Sequence, residues 1–354
     1  MIMKNIIALS CCLIVIISFA YKNITVNDEE LVVKDATMPF VTKDAKGAVY
    51  MVFAKGNKLE YTISNNNGIS FSSPVLVDTV NDLFGVAGRG PKIISTPNTL
   101  TILALNKAGN IYSYTKDAKG KWIKNGKVND VDDVAKEGFL SVSSYEDSLY
   151  AIWLDLRDNS RNKIVGALSA DGGKTWSKNK IIYQSPDGSV CECCKPSVAF
   201  GKNGINVMFR NNLNGNRDLY LIQSHDGGGS FGEPIKLGEG NWKLEGCPMD
   251  GGGLTINDEG WVQTVWRRVD TIFSCMPGEK EKMIGNGKNC TIENINDKNV
   301  YSWIENGNIV CLLPGGKKIN VGAGTFPVLK AINENQLICV WQNNNNVYRK
   351  IISL

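Results

Sequence analysis

The chain is expected to be an all-β protein, a β-propeller of four-stranded blades, seven by repeat count. Two observations carry this. Val/Ile/Thr/Tyr runs alternate with Asn/Asp/Gly clusters along the whole chain, a composition of many short strands and turns. A pair of strands also recurs at roughly 50 residues, the size of one blade. No clean 3.6-residue periodicity follows the first twenty residues.

The 354 residues, of which 43% are hydrophobic, suffice for a sizeable core. The first strand of each repeated pair is Ala48–Ala54, Leu100–Leu105, Leu149–Leu154, Ile205–Phe209, Trp261–Trp266, Asn299–Ile304 and Leu337–Trp341. The partners are Lys58–Ser64, Asn110–Thr115, Lys163–Ser169, Asp218–Ser224, Thr271–Met276, Asn308–Leu313 and Asn346–Ser353. An earlier, channel-lining strand is expected to begin near Pro39, Pro91, Leu140, Pro196, Gly253, Thr291 and Pro327. Outer strands such as Lys180–Tyr183 and Pro234–Leu237 complete the blades. The last unit lacks one, so Ile24–Val33 is expected to supply it and close the ring, leaving no open sheet edge. The count falls to six if one C-terminal unit is irregular. A sandwich does not explain the long repeat, and a β-helix has a much shorter one.

The N-terminus carries Lys4, an apolar run from Ile6 to Phe19, and the small residues Ser18 and Ala20. This pattern predicts a secretory signal peptide over 1–20, a single propeller domain over 21–354, and a secreted or periplasmic/cell-surface location. The run is short for a retained anchor, and no membrane span is expected after cleavage. The formal net charge of +4 is mild, without basic runs interleaved with aromatics, so nucleic acid is not an expected partner.

A turn signature follows several partner strands. It is clearest at Ser169-Ala-Asp171-Gly-Gly173-Lys-Thr175-Trp176 and Ser224-His-Asp226-Gly-Gly228-Gly-Ser230-Phe231. A worn copy spans Ser64 to Phe71, and a degraded one keeps Asp117, Gly120 and Trp122. The carboxylate accepts turn N–H groups, glycine supplies positive φ, and the aromatic packs into the blade. With these motifs the chain resembles the sialidase (neuraminidase) superfamily with BNR/Asp-box repeats, over nearly all of the sequence after residue 20. The resemblance implies a propeller whose active face lies opposite the Asp boxes, and an exo-glycosidase acting on sialic acid or another acidic glycan.

Topology sorts residues onto that opposite face: the loops between second and third strands, and the links between blades. It collects Arg89, Arg157, Arg210, Arg267 and Arg268. Guanidinium forks bind carboxylates bidentately, and the resemblance implies three arginines on a substrate carboxylate. Pairing with Asp155, Asp158 and Asp270 is the structural alternative. The resemblance further implies a Tyr nucleophile with a Glu partner and an acidic Asp. Tyr183, Glu192, and Asp155 or Asp250 are the candidates. The first unit departs from the family in Met38-Pro39-Phe40, which lacks an arginine, and seven units exceed the usual six.

Ten cysteines are present, two of them in the signal segment. The other eight all follow residue 190, so the first half must hold by packing alone. Cys191-Glu-Cys193-Cys194 and Cys247-Pro-Met249-Asp250 lie on consecutive links of the active face. Three readings stand side by side. One is disulfides between the links and to Cys275 or Cys290. Another is a soft-metal site for copper on Cys191, Cys193, Cys194 and Cys247, with Met249. The third is a vicinal Cys193–Cys194 bond. Cys311 and Cys339 fall within strands and are expected to be buried. The single histidine, His225, sits in an Asp box on the other face, which removes His-based triads. The function readings are therefore a glycosidase without a cofactor, a non-catalytic binder of anionic glycan or protein, and a copper-binding protein.

Overall fold

The computed structural model describes residues 29–354. The expected signal peptide over 1–20 lies outside the described residues. Seven four-stranded antiparallel sheets form a ring, and the innermost strands touch in cyclic order. Blade 1 is Thr37–Lys43, Val49–Lys55, Lys58–Ser64 and Val75–Thr79. Blade 2 is Lys92–Ser95, Leu100–Leu105, Ile111–Lys116 and Trp122–Lys127. Blade 3 is Leu140–Tyr145, Ser148–Asp155, Lys163–Ser169 and Lys180–Tyr183. Blade 4 is Ser197–Gly201, Gly204–Arg210, Leu219–Ser224 and the short Ile235–Lys236. Blade 5 is Gly253–Ile256, Val262–Arg268, Thr271–Cys275 and Lys282–Asn286. Blade 6 is Lys288–Ile295, Lys298–Glu305, Asn308–Leu312 and Lys318–Ala323. Blade 7 is Thr325–Asn333, Gln336–Asn343, Asn346–Ser353 and, from the other end of the chain, Glu30–Val33. The count is seven, and all seven expected strand pairs are present.

Closure works as expected. Glu30 pairs with Arg349 and Val33 with Val347 in antiparallel register. Arg349 donates to the Glu30 carboxylate as well. Among the described residues no helix is long and apolar enough to cross a membrane.

The blades adhere through the faces of their second strands, which read as nearly continuous apolar runs because both faces are covered. Trp153, Trp266, Trp303 and Trp341 are among the largest fully buried side chains. Trp153 packs with Leu103 and Ile111 of blade 2, and Trp341 with Ile304 and Ile309 of blade 6. Burial of one such indole contributes several kcal/mol, since Trp→Ala changes typically cost about 3–5 kcal/mol. In blades 4 to 6 the outer edge that meets the next indole carries Gly-x-Gly: Gly238 and Gly240, Gly285 and Gly287, Gly322 and Gly324. A Cβ on Gly285 would stand 2.4 Å from Trp303 Cζ2, and one on Gly324 2.4 Å from Trp341 Cδ1.

Three inner strands begin earlier than their sequence signal. Blades 1, 6 and 7 start at Thr37, Lys288 and Thr325, each with a register shift before Phe40, Thr291 and Val328. The bulged residues Met38, Asn289 and Phe326 all have φ near +55° (54°, 54° and 56°). Bulges break the period of two, so the pattern became readable only past them.

The Asp-box turns close as their residue types require. Gly173 N–H donates to Ser169 Oγ at 2.7 Å, and Thr175 N–H to Asp171 Oδ1 at 2.9 Å. Asp226 receives Ser230 N–H and hydroxyl at 2.8 and 2.7 Å, and these bonds hold its carboxyl below the usual range. Each turn also grips the preceding blade. Thr101 and Ser113 of blade 2 donate to the carbonyls of Gly172 and Gly173. Gly228 lies against Tyr150 of blade 3, and Gly68 against Ile338 of blade 7.

This yields a matched test. Gly172 and Gly227 share φ +69°, but a Cβ on Gly172 would meet Thr99 Oγ1 at 1.9 Å, whereas nothing lies within 4 Å of one on Gly227. Gly227→Ala should cost about 1–2 kcal/mol from left-handed backbone alone. Gly172→Ala should cost at least about 1 kcal/mol more, from overpacking between blades. Urea unfolding of the two variants checks the difference.

Candidate functional site

The innermost strands enclose a central cavity of about 440 Å³. Its mouth, on the face away from the Asp boxes, is rimmed by Gly88, Phe139, Met249, Asn289 and Phe326. Strained backbone gathers there: Met38, Ala87, Met249, Asn289 and Phe326 all have positive φ.

Three lysines from inner strands and links line the cavity: Lys92, Lys195 and Lys330. Lys330 is bonded to Glu293 at 2.9 Å, and this charge raises its pKa. Lys92 is 7% exposed and stands 4.6 Å above the Phe40 ring. Burial, then the charge of Lys195, lower Lys92 to about 7. Burial also lowers Lys195. These lysines escaped the sequence reading. Their signal is a lysine set inside an apolar inner strand or next to its opening proline, as in Pro91-Lys92-Ile-Ile and Lys195-Pro196.

The arginines expected on this face are present, and each is engaged with neighbouring carbonyls, carboxylates or rings. Arg210 is 2% exposed; its Nε donates to the Asp250 carbonyl, Nη1 to that of Arg217 and Nη2 to that of Arg267. Arg267 donates to the Pro248 carbonyl and pairs with Asp250 at 3.3 Å. Both guanidiniums stand 5.2 Å from the Trp242 ring. Arg268, one residue on and therefore on the other side of the sheet, is bonded to Glu281. Arg157 is tied to Asp155, Asp130 and Asn179. Arg89 lies over Phe139 and donates to the Glu137 carbonyl. Arg210 and Arg267 come together over Trp242, and Arg210, Arg217 and Arg268 line one small pocket beside the same ring, while Arg89 and Arg157 share none of these partners. Backbone carbonyls and local carboxylates take most donors of these forks.

The catalytic candidates are likewise dispersed. Asp155 is fully buried and accepts from Trp153 Nε1 at 2.7 Å and from Arg157. Asp250, 3% exposed, accepts the Asn289 N–H at 2.7 Å besides facing Arg267. Tyr183 stacks on Phe209, and its hydroxyl accepts from Asn211 at 2.8 Å. Burial raises its pKa, the opposite of an activated phenol. Glu192 is exposed and faces Arg217 at 3.8 Å. The contacts of Tyr183 and Glu192 have no residue in common.

The cysteine links do share one sector. Cys193 is bonded to Cys247, the link-to-link bridge. Cys191 and Cys194 are free and buried, so the vicinal pairing does not occur. Cys275 and Cys290 are free and buried as well, which corrects the expected second bridge. Cys311 and Cys339 are buried within their sheets, as expected. Cys191, Cys193 and Cys194 form the one cluster of metal-ligating side chains among the described residues. The Cys191 thiol is lowered, first by its hydrogen bond with Cys194 and then by Arg217 and Arg210. His225 Nδ1 donates to the Asn203 carbonyl, away from this sector.

No protein-family model and no curated protein matches the sequence. Solved structures are similar in fold. The polysaccharide lyase Uly1 superposes with a TM-score of 0.59 at 11% identity, over 91% of this chain and 90% of that one. A PL25 ulvan lyase bound to GlcA(1-4)Rha3S gives 0.57 at 10%, over 91% and 95%. The Hadza microbial sialidase Hz136 gives 0.55 at 11%, over 92% of this chain and 68% of that one. The resemblance to sialidase propellers thus holds as a likeness of fold.

Replacing Arg210 separates a structural from a ligand-binding role. Arg210→Met strands one buried and two partly buried carbonyls and should lower unfolding stability by about 2–3 kcal/mol, at roughly 1 kcal/mol per acceptor. An arginine reserved for substrate would leave the denaturation midpoint where it is.

Proposed function

We propose that this protein is a non-catalytic propeller that binds an acidic glycan at the mouth of its central channel. One observation carries the reading. Asp250 is paired with Arg267 and Glu293 with Lys330, which leaves Lys92 and Lys195 in the channel without an ion-pair partner among the described residues. Two like charges held close in a partly desolvated cavity are unfavourable alone and favourable around an anion. The fold likeness to lyases and a sialidase supports glycan as the anion's carrier, since one of those lyases holds a glucuronate-containing unit. Binding is preferred over exo-glycosidase action because Tyr183 and Glu192 are bonded to different partners and both aspartates are saturated. We also place the protein outside the cytoplasm, on the N-terminal apolar segment and the Cys193–Cys247 bond.

Calorimetric titration with sialyllactose and with a sulfated glucuronate oligosaccharide tests this, with lactose as the uncharged control. Lys92→Ala and Lys195→Ala should each weaken binding at least tenfold while a fluorogenic sialoside stays intact. Affinity unaffected by both changes, or sialoside turnover, would sink the reading.

Acidity supplies a second measurement. Lys92 is cationic below its pKa of about 7, so anion binding is strongest at pH 6 and declines as pH rises. Between pH 6 and 8 the association constant should fall about tenfold. Lys92→Arg should flatten the profile, because a guanidinium stays charged throughout.

A further inference from the structure

Sulfur gathers where the links entering blades 4 and 5 meet. Cys191 Sγ lies 3.7 Å from Cys193 Sγ and 3.4 Å from Cys194 Sγ, and the latter two are 4.0 Å apart. Cys193 is bonded to Cys247, whose Sγ lies 3.6 Å from Met249 Sδ. A point equidistant from the first three sulfurs falls about 2.2 Å from each, close to a metal–thiolate bond of about 2.3 Å. All three are buried, at 1%, 7% and 2% exposure.

The surroundings suit several thiolates. The Cys191 N–H donates to the Arg210 carbonyl at 3.0 Å, which sets the arginine strand beside the cluster. Arg217 Nε is buried without a hydrogen-bond partner among the described residues, while Arg217 Nη1 faces Glu192 at 3.8 Å and Arg267 Nε faces Asp250 at 3.3 Å. An unsatisfied buried guanidinium donor is costly, and anionic sulfur beside Arg217, whose partner Glu192 lies between Cys191 and Cys193, offsets that cost. The donor set is sulfur alone. Asp250 is committed to Arg267 and the Asn289 N–H, and His225 is in an Asp box on the other face. Thiolate with thioether is the soft combination that favours Cu(I).

We propose that the reduced protein binds one Cu(I) ion through Cys191, Cys193, Cys194 and Cys247, with Met249 at the rim. A dithiol reductant opens the Cys193–Cys247 bond, delivering two electrons and two protons and becoming a disulfide itself. The thiols then release protons to solvent as the ion enters. With the bond closed, Cys191 and Cys194 alone remain as thiols, and the ion loses half of its cysteine ligands. The link-to-link disulfide is thereby a lock on a copper site. This is independent of the glycan reading, which rests on the channel lysines.

The test uses the full chain lacking residues 1–20, reduced with a dithiol under anaerobic conditions and freed of reductant. Cu(I) is titrated against bathocuproine disulfonate. One copper per chain is expected, with X-ray absorption showing a sulfur-only shell. The oxidised protein and the Cys191→Ser/Cys194→Ser variant should each bind at least 100-fold more weakly. Met249→Leu should lose a few-fold, and Cys311→Ser, remote from the cluster, should behave as the parent. No copper retained by the reduced parent would overturn the proposal, as would equal affinity in the oxidised form. Displacement of Cu(I) by equimolar Zn(II) would also overturn it. The parent titration stands whether or not the double variant folds.

Discussion

Contact between one sheet and the next is the constraint on which this ring depends. A four-stranded blade has two faces to cover, and neighbouring blades cover both. The indoles of Trp153, Trp266, Trp303 and Trp341 fill those contacts from the second strand of their blades. The Gly-x-Gly pairs at blades 4 to 6 are the complement, flattening the sheet edge where the next indole rests. The Asp-box turns add a second grip at the opposite rim, where Thr101 and Ser113 bind the glycine carbonyls of the next blade. The spacing of the innermost strands, and so the width of the channel, follows from this packing.

The packing divides polar groups into two populations. Asp155, Arg157 and Arg210 are absorbed by it: each satisfies indoles, carbonyls or one another, with Asp155 and Arg210 closed to solvent. Lys92 and Lys195 are not absorbed. They extend into the central cavity between the inner strands, where their charges oppose each other. Keeping a cation there costs stability, since burial works against the charged form. The fold bears that cost at its centre.

Much of the architecture was legible in the sequence because strand pairs repeat and alternation is local. Leu100–Leu105 and Lys163–Ser169 have the bounds their patterns indicate, and Glu30–Val33 lies within the closing segment. The bulges at Met38, Asn289 and Phe326 were not legible, since an extra residue erases the alternation that marks a strand. The placement of the cysteine links in one sector followed from topology alone. The fate of the arginines did not. Whether a guanidinium is free depends on carbonyls such as those of Arg217 and Asp250, and nothing in residue type reports where a distant carbonyl points. The channel lysines were hidden for a related reason: Lys92 reads as an interruption of an apolar strand until seven such strands face one another.

Ring closure also sets how the molecule answers to force. Glu30–Val33 runs antiparallel to Asn346–Ser353, with Glu30 opposite Arg349 and Val33 opposite Val347. Glu30 and Leu354 therefore leave the sheet at the same end of the seam. Tension between them does not shear the strand pair; it opens the hydrogen bonds one after another, like a zip. The remaining blades, each secured to its neighbours along whole faces, carry little of that load until the seam has parted. A protein tethered by these two ends would yield first at a four-residue strand and keep most of its ring.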